Sequence, residues 1–164
     1  MMVPLDIKKP ITSNTMHWYL PIEQKILTWR GFRQSLQTEQ NLSESLLQIQ
    51  QWWLTAPIRR VSLLNDDHAG WPSPWQLFNN LSYCDLSRCL GMFYTCALCP
   101  EIKQHPITLR ILYSAEGERV SIVDVADGKY ILNFNEQKLV NTSSISSEYQ
   151  SAVVFVPQDF RTLE

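Results

Sequence analysis

Four cysteines, one histidine and two later polar residues carry the chemistry that this sequence could perform. Cys84, Cys89, Cys96 and Cys99 lie within sixteen residues, His105 follows them, and Asp124 and Asn133 stand on later strand-like runs. A thiol becomes a nucleophile when its pKa falls, and a helix start favours the thiolate through free N–H groups and the helix dipole. A histidine must then take the proton, and a third polar group must orient that histidine. Cys84 meets the first demand, because it stands just before a helical run. An active cysteine hydrolase or acyltransferase would use Cys84 (or Cys89) as nucleophile, His105 as base, and Asp124 or Asn133 to orient it. The plainer reading is preferred: Cys89 and Cys96, seven apart on one helix, are small core hydrophobes, and His105 is a turn residue before Pro106. No catalytic set is therefore expected. Cys96-Ala-Leu-Cys99 has metal-ligand spacing, yet it supplies only two ligands, and the other cysteines lie back along an apolar helix. No metal and no cofactor are expected. Asp66-Asp67-His68 reads as a solvated turn.

The elements that would position these residues follow from periodicity. Residues 1–21, with Pro4, Pro10 and Pro21, form an extended arm whose Met16, Trp18, Tyr19 and Leu20 are apolar enough to pack on the domain or on a neighbour. Residues 22–164 form one domain. Ile22, Ile26, Trp29 and Leu36 recur at helical spacing, and a second helix runs from about Ser43, its N-cap, to Leu54, ended by Pro57. The two make a helical hairpin over 22–56, closed through Gln37–Asn41. Ile58–Leu64 is a possible short strand. Ser73-Pro74 starts a short helix reaching about Asn80. A helix from Asp85 to about Leu98, apolar nearly all round, is the central buried one. Strands are expected at Ile107–Tyr113, Arg119–Val125, Lys129–Phe134 and Ala152–Val156, with a short one at Lys138–Val140. Ala126-Asp127-Gly128 gives a tight turn. Helices first and an antiparallel meander after them is an α+β order.

The stretch Trp71-Pro-Ser-Pro74, Gln76-Leu77-Phe78 and Tyr83-Cys84-Asp85 resembles the nucleophile segment of bacterial transglutaminase-like cysteine proteinases. Val120-Ser-Ile-Val-Asp-Val125, Asp127-Gly128 and Tyr130-Ile-Leu-Asn133 resemble the family's strands that carry histidine and aspartate. The likeness covers about residues 71–140 and implies a transglutaminase-like, papain-like core. It also implies a degenerate site. Asp85 takes the ungapped place of the family cysteine, Arg119-Val120 stands where histidine is expected, and Asn133 stands where the orienting aspartate is expected. A thiol without a base stays largely protonated near neutral pH. A looser resemblance, to small uncharacterised proteins of contractile-tailed phages, rests on Trp29-Arg-Gly-Phe-Arg33, Trp52-Trp-Leu-Thr-Ala-Pro57, Trp71-Pro-Ser-Pro-Trp75 and Cys89-Leu-Gly-Met-Phe-Tyr-Thr95. It implies a virion part.

Composition narrows the partners. Hydrophobic residues make up 45% of the chain and charged residues 18%, so it has the makings of a packed core. The net charge is -2, with Arg59-Arg60 the nearest thing to a basic run, and no nucleic-acid partner is expected. No apolar run is long enough to span a bilayer, and Lys8-Lys9 is followed by no apolar block, so neither a membrane nor a signal peptide is expected. The clustered cysteines suit reduced thiols in a cytosolic setting. Six tryptophans exceed what one small core needs. Trp29, Trp53 and Trp71 are assigned to the core, and Trp18, Tyr19, Trp52 and Trp75 to a surface that binds other protein subunits. The expected function is non-enzymatic: a structural or assembly protein of a phage tail, baseplate or neck, assembled in the host cytoplasm. An adaptor for a host protein is a further alternative.

Overall fold

The computed structural model describes residues 16–36, 41–61, 64, 67–145 and 147–160, with the side chain of Ala152 excepted. Expectations for residues 1–15, for the hairpin connection 37–40 and for parts of 62–66 lie outside these. The helices are α1 (Ile22–Ser35), α2 (Leu42–Leu54), α3 (Pro74–Leu77) and α4 (Asp85–Ala97). The strands are β1 (Ile107–Tyr113), β2 (Arg119–Val125), β3 (Tyr130–Leu132) and β4 (Gln150–Phe155), antiparallel in the order β3-β2-β1-β4. The first three strands form the expected meander, and β4 returns to the far side of β1. Among the described residues, Ile58–Leu64 contributes an isolated bridge between Ile58 and Tyr83, and Lys138–Val140 one between Ile131 and Val140, rather than strands.

Caps fix the helix starts. Asn41, rather than Ser43, caps α2: its Oδ1 accepts the Glu44 N–H at 2.9 Å and its Nδ2 donates to Glu44 Oε1 at 2.9 Å. Ser43 turns inward on the cap and donates to Asn41 Oδ1. At the other end of α2, Arg88 reaches over from α4 and donates to the carbonyls of Trp53 (3.3 Å) and Leu54 (2.9 Å), satisfying groups the helix leaves open. Ser73 and Gln76 form a reciprocal capping box around the first turn of α3, with Pro74 just inside. That helix stops at Leu77, short of Asn80.

α4 is the axis of the core, with every residue from Leu86 to Ala97 buried. Thr95 at its centre ties three helices together. Trp29 of α1 and Trp53 of α2 each donate an indole N–H to Thr95 Oγ1 at 2.9 Å, and the hydroxyl donates to Gly91 O at 2.7 Å. One hydroxyl has two acceptor positions and one proton, so the set is fully satisfied. Gly91 lets α2 come this close: a Cβ there would meet the Trp53 ring at 2.5 Å. Ile107, Leu109 and Ile111 of β1, with Val123 and Val125 of β2, close the other side of this core. The opposite face of the sheet carries a smaller cluster, Leu112, Ile122 and Ile131, covered by Phe134, Ile145 and Tyr149.

One expectation about the tryptophans is overturned. Trp29, Trp53 and Trp71 are buried as expected, but so is Trp18, at 2% exposure. It sits in a 3-10 turn over His17–Tyr19, donates to Thr55 Oγ1 at 2.8 Å and packs against Trp53 and Tyr83. An indole in that position anchors the end of the arm to its own domain and is not available to a partner.

Candidate functional site

Cys84 is the N-cap of α4. Its sulfur accepts the Ser87 N–H at 3.4 Å, and its carbonyl accepts the Ser87 hydroxyl at 3.0 Å. The backbone therefore presents the thiol at a helix start, where the dipole favours a thiolate, but the residue is only 2% exposed. Nothing the size of a peptide reaches it without rearrangement.

The neighbouring residue faces a different environment. Asp85, at the first position of α4, receives a hydrogen bond from Asn133 Nδ2 at 3.2 Å, and the same amide group donates to Ser121 O at 2.9 Å. Asn133 leaves β3 with φ 72°, a left-handed conformation that asparagine tolerates better than most residues. Gln50 of α2, fully buried, fixes that bend: its Oε1 accepts the Asn133 N–H at 2.6 Å, and its Nε2 donates to Asn135 O at 2.9 Å. Asp85 reaches the surface as a residue, yet crowding around its carboxyl raises its pKa. The Asn133 amide, Arg88, the Ser121 N–H and Arg119 each oppose that rise. The start of α4, the start of β2 and the exit of β3 thus meet at one point. These are the three places where the family resemblance puts nucleophile, base and orienting group. Here they carry the carboxylate of Asp85, Arg119-Val120 followed by Ser121, whose carbonyl joins the network, and the neutral amide of Asn133. A carboxamide cannot take up a proton near neutral pH, so Asn133 is itself no base, and its hydrogen bonds tie the starts of α4 and β2 to the exit of β3.

The alternative set is dispersed by the same fold. His105 lies beyond the C-terminal end of α4, where it lines a pocket of about 480 Å³ with Ala97, Lys103 and Pro106. Cys84 is at the N-terminal end, and a helix of 13 residues is about 20 Å long. Asp124 points to the opposite face of the sheet from α4, ion-paired with Arg110 at 3.3 Å and accepting the Gly128 N–H at 2.6 Å. Neither residue can serve Cys84. Cys89 and Cys96 are fully buried, and burial pushes both thiols well up, as does the Asp85 charge for Cys89. Burial also pushes Cys99 up to about 11, against the pull of Arg33. No group of three or more metal-ligating side chains occurs among the described residues.

Of the aromatic surface, Tyr19 is 76% exposed and Trp75 43% exposed. Trp52 is half-buried, stacked between His17 and Phe32. Sequence reasoning noticed Asp85 and Arg119 only as departures from a pattern, and Asn133 both as a departure and as a candidate to orient His105. It missed Gln50 and Arg88, whose signal was a polar residue within the buried stripe of a helix.

No protein-family model matches the chain, and no curated protein matches it. Its structure is similar to that of Legionella pneumophila LapG in a calcium-bound form. The TM-score is 0.63 at 13% identity, over 95% of this chain and 85% of that one. At such an identity the likeness speaks for the fold alone: α+β and transglutaminase-like.

Proposed function

We propose that this chain uses a transglutaminase-like fold to bind other proteins, without catalysing a reaction on them. The observation that carries this reading is the Asp85–Asn133–Ser121 network, in which a carboxylate, a carboxamide and a backbone carbonyl, with neither thiol nor imidazole, occupy the convergence point of α4, β2 and β3. Exposed Tyr19, Trp75 and Leu81 supply apolar anchors of the kind that dominate protein interfaces. The phage likeness adds a setting: a structural subunit of a contractile tail, baseplate or neck, with neighbouring subunits as partners and neither nucleic acid nor membrane required. No described helix is long and apolar enough to cross a membrane.

Incorporation into particles during assembly tests the proposal. Cys84→Ser should enter particles as the native chain does, whereas Tyr19→Ala combined with Trp75→Ala should enter poorly while remaining folded. Loss of function in Cys84→Ser with intact folding would sink the non-catalytic reading. Native protein found free of particles and bound to a host protein would replace assembly with an adaptor role.

A second reading, a cysteine hydrolase or acyltransferase, is favoured by one observation: Cys84 caps α4 and receives an N–H at its sulfur. It requires a base to approach by a rearrangement that also uncovers Cys84.

A further inference from the structure

Beyond the C-terminal end of α4 the chain turns through Lys103 and His105 into β1, and the turn after β4 comes back beside it. The pocket of about 480 Å³ lies between them, within the size range of sites that hold small ligands. Ala97, Ile107, Val156 and two prolines give it an apolar wall, and Lys103, His105, Thr108 and Gln158 supply its polar groups. None of these four side chains is hydrogen-bonded or ion-paired to another described residue, and the Thr108 hydroxyl is buried in that state. A buried hydroxyl without a partner calls for an explanation. Two other concavities differ. One of about 530 Å³, on the face of the sheet away from α4, has its arginine already paired, Arg110 with Asp124 at 3.3 Å. One of about 340 Å³ holds Lys129 and Lys138, but its Ser43 and Ser144 donate to the asparagines that precede them. No Asp or Glu lines the pocket beside His105, although the chain as a whole carries a net charge of -2.

We propose that this pocket binds a small apolar group that ends in a carboxylate. A carboxylate is acceptor-only, and every polar group here can donate: an ammonium, an imidazole, a hydroxyl and a carboxamide. The Thr108 hydroxyl would gain the acceptor it lacks. The end of α4 at Ala97 opposes an anion with about half a negative charge, but the full charge on Lys103 outweighs it. The apolar wall takes the hydrocarbon part of the ligand and selects against inorganic phosphate, whose second charge would lose water there without a second lysine to meet it. The pocket shares no residue with the surface invoked for protein binding above, and the proposal stands or falls without that reading.

Titration of the full chain with hexanoate, followed at each backbone amide by NMR at constant ionic strength, tests the proposal. Hexanamide, hexylamine and inorganic phosphate serve as the comparison probes. Hexanoate should shift the amides of Lys103, His105, Thr108 and Gln158 saturably and bind about tenfold more tightly than hexanamide. Lys103 is exposed, so Lys103→Gln should keep the fold while the preference for acid over amide falls to about twofold. Thr108→Val should weaken hexanoate without moving the rest of the spectrum. Shifts that never saturate, or that scatter over surface lysines, would overturn the site. So would equal binding of hexanamide, tighter binding of hexylamine or phosphate, or a folded Lys103→Gln that keeps the full preference. A peptide with an apolar C-terminal residue, run as free acid and as amide, reads the source of the carboxylate. A peptide acid tighter than hexanoate would support the site as one for chain ends, and a weaker one would support it as one for free acids.

Discussion

At the scale of single residues, the difference between a reactive and an inert cysteine is solvation. Burial raises the pKa of Cys89, Cys96 and Cys99, and Cys84 is shut from solvent. Iodoacetamide labelling at pH 8, read by mass spectrometry at each site, should be slow for all four thiols in the native state and fast after denaturation. One native thiol reacting quickly, with an apparent pKa well below about 8.5, would mark a nucleophile. Asn133 is the other decisive residue. Asn133→Asp would set a second carboxylate against Asp85 where an N–H now donates, costing about 1–3 kcal/mol at neutral pH. The pair would then bind a proton more tightly folded than unfolded, so the deficit should shrink as pH falls through the carboxyl range. Chemical denaturation of both forms between pH 4 and pH 7 checks this, and a deficit independent of pH would mean that only the lost donor matters.

At the scale of elements, α1, α2 and α4 are joined by a polar node inside an apolar core. Thr95→Val keeps the shape and removes the hydroxyl, leaving the Trp29 and Trp53 N–H groups buried without an acceptor. A cost of about 1–3 kcal/mol for each orphaned group is expected, and Thr95→Ser should recover most of it. Equal destabilisation by both replacements would show that the hydroxyl's hydrogen bonds are not what sets the cost. The helix starts show how local the underlying code is. Ser73, Pro74 and Gln76 announce α3 within four residues, and Asn41 with Glu44 does the same for α2. Choosing Ser43 as the α2 cap failed because two candidate caps stood two residues apart, and the glutamate three residues after Asn41 settled the choice.

At the scale of the whole molecule, the buried thiols make alkaline pH the weak side of this fold. Groups whose folded pKa is raised contribute stability that is fully present below their unfolded pKa and lost as pH rises toward the folded one. For Cys99 that window runs from 9.0 to about 11. Thermal melts should therefore show Tm falling above pH 9, and Cys99→Ala should blunt the fall. A fall of the same depth in Cys99→Ala would place its origin in other groups. The covering of 95% of the chain by a neighbour at 13% identity fits the same picture, because a layered core can be kept while nearly every side chain in it changes.

The amino-acid sequence by itself determined the order and kind of the α-helices and of the four strands of the sheet, the central place of the Asp85–Ala97 helix and the turn at Ala126–Gly128. Each is encoded within a few residues by periodicity, capping and the ease with which a turn adopts positive φ. It also supplied the departures from the resembled pattern at Asp85, Arg119 and Asn133, since those depend on residue type alone. Only the tertiary structure decided that Trp18 belongs to the core, that His105 is separated from Cys84 by the length of α4, and that β4 lies beside β1. The same holds for the meeting of Asp85 with Asn133, 48 positions later, and of Trp29 with Thr95, 66 positions later. Contacts across such separations are chosen by how whole faces pack, and no local pattern contains them.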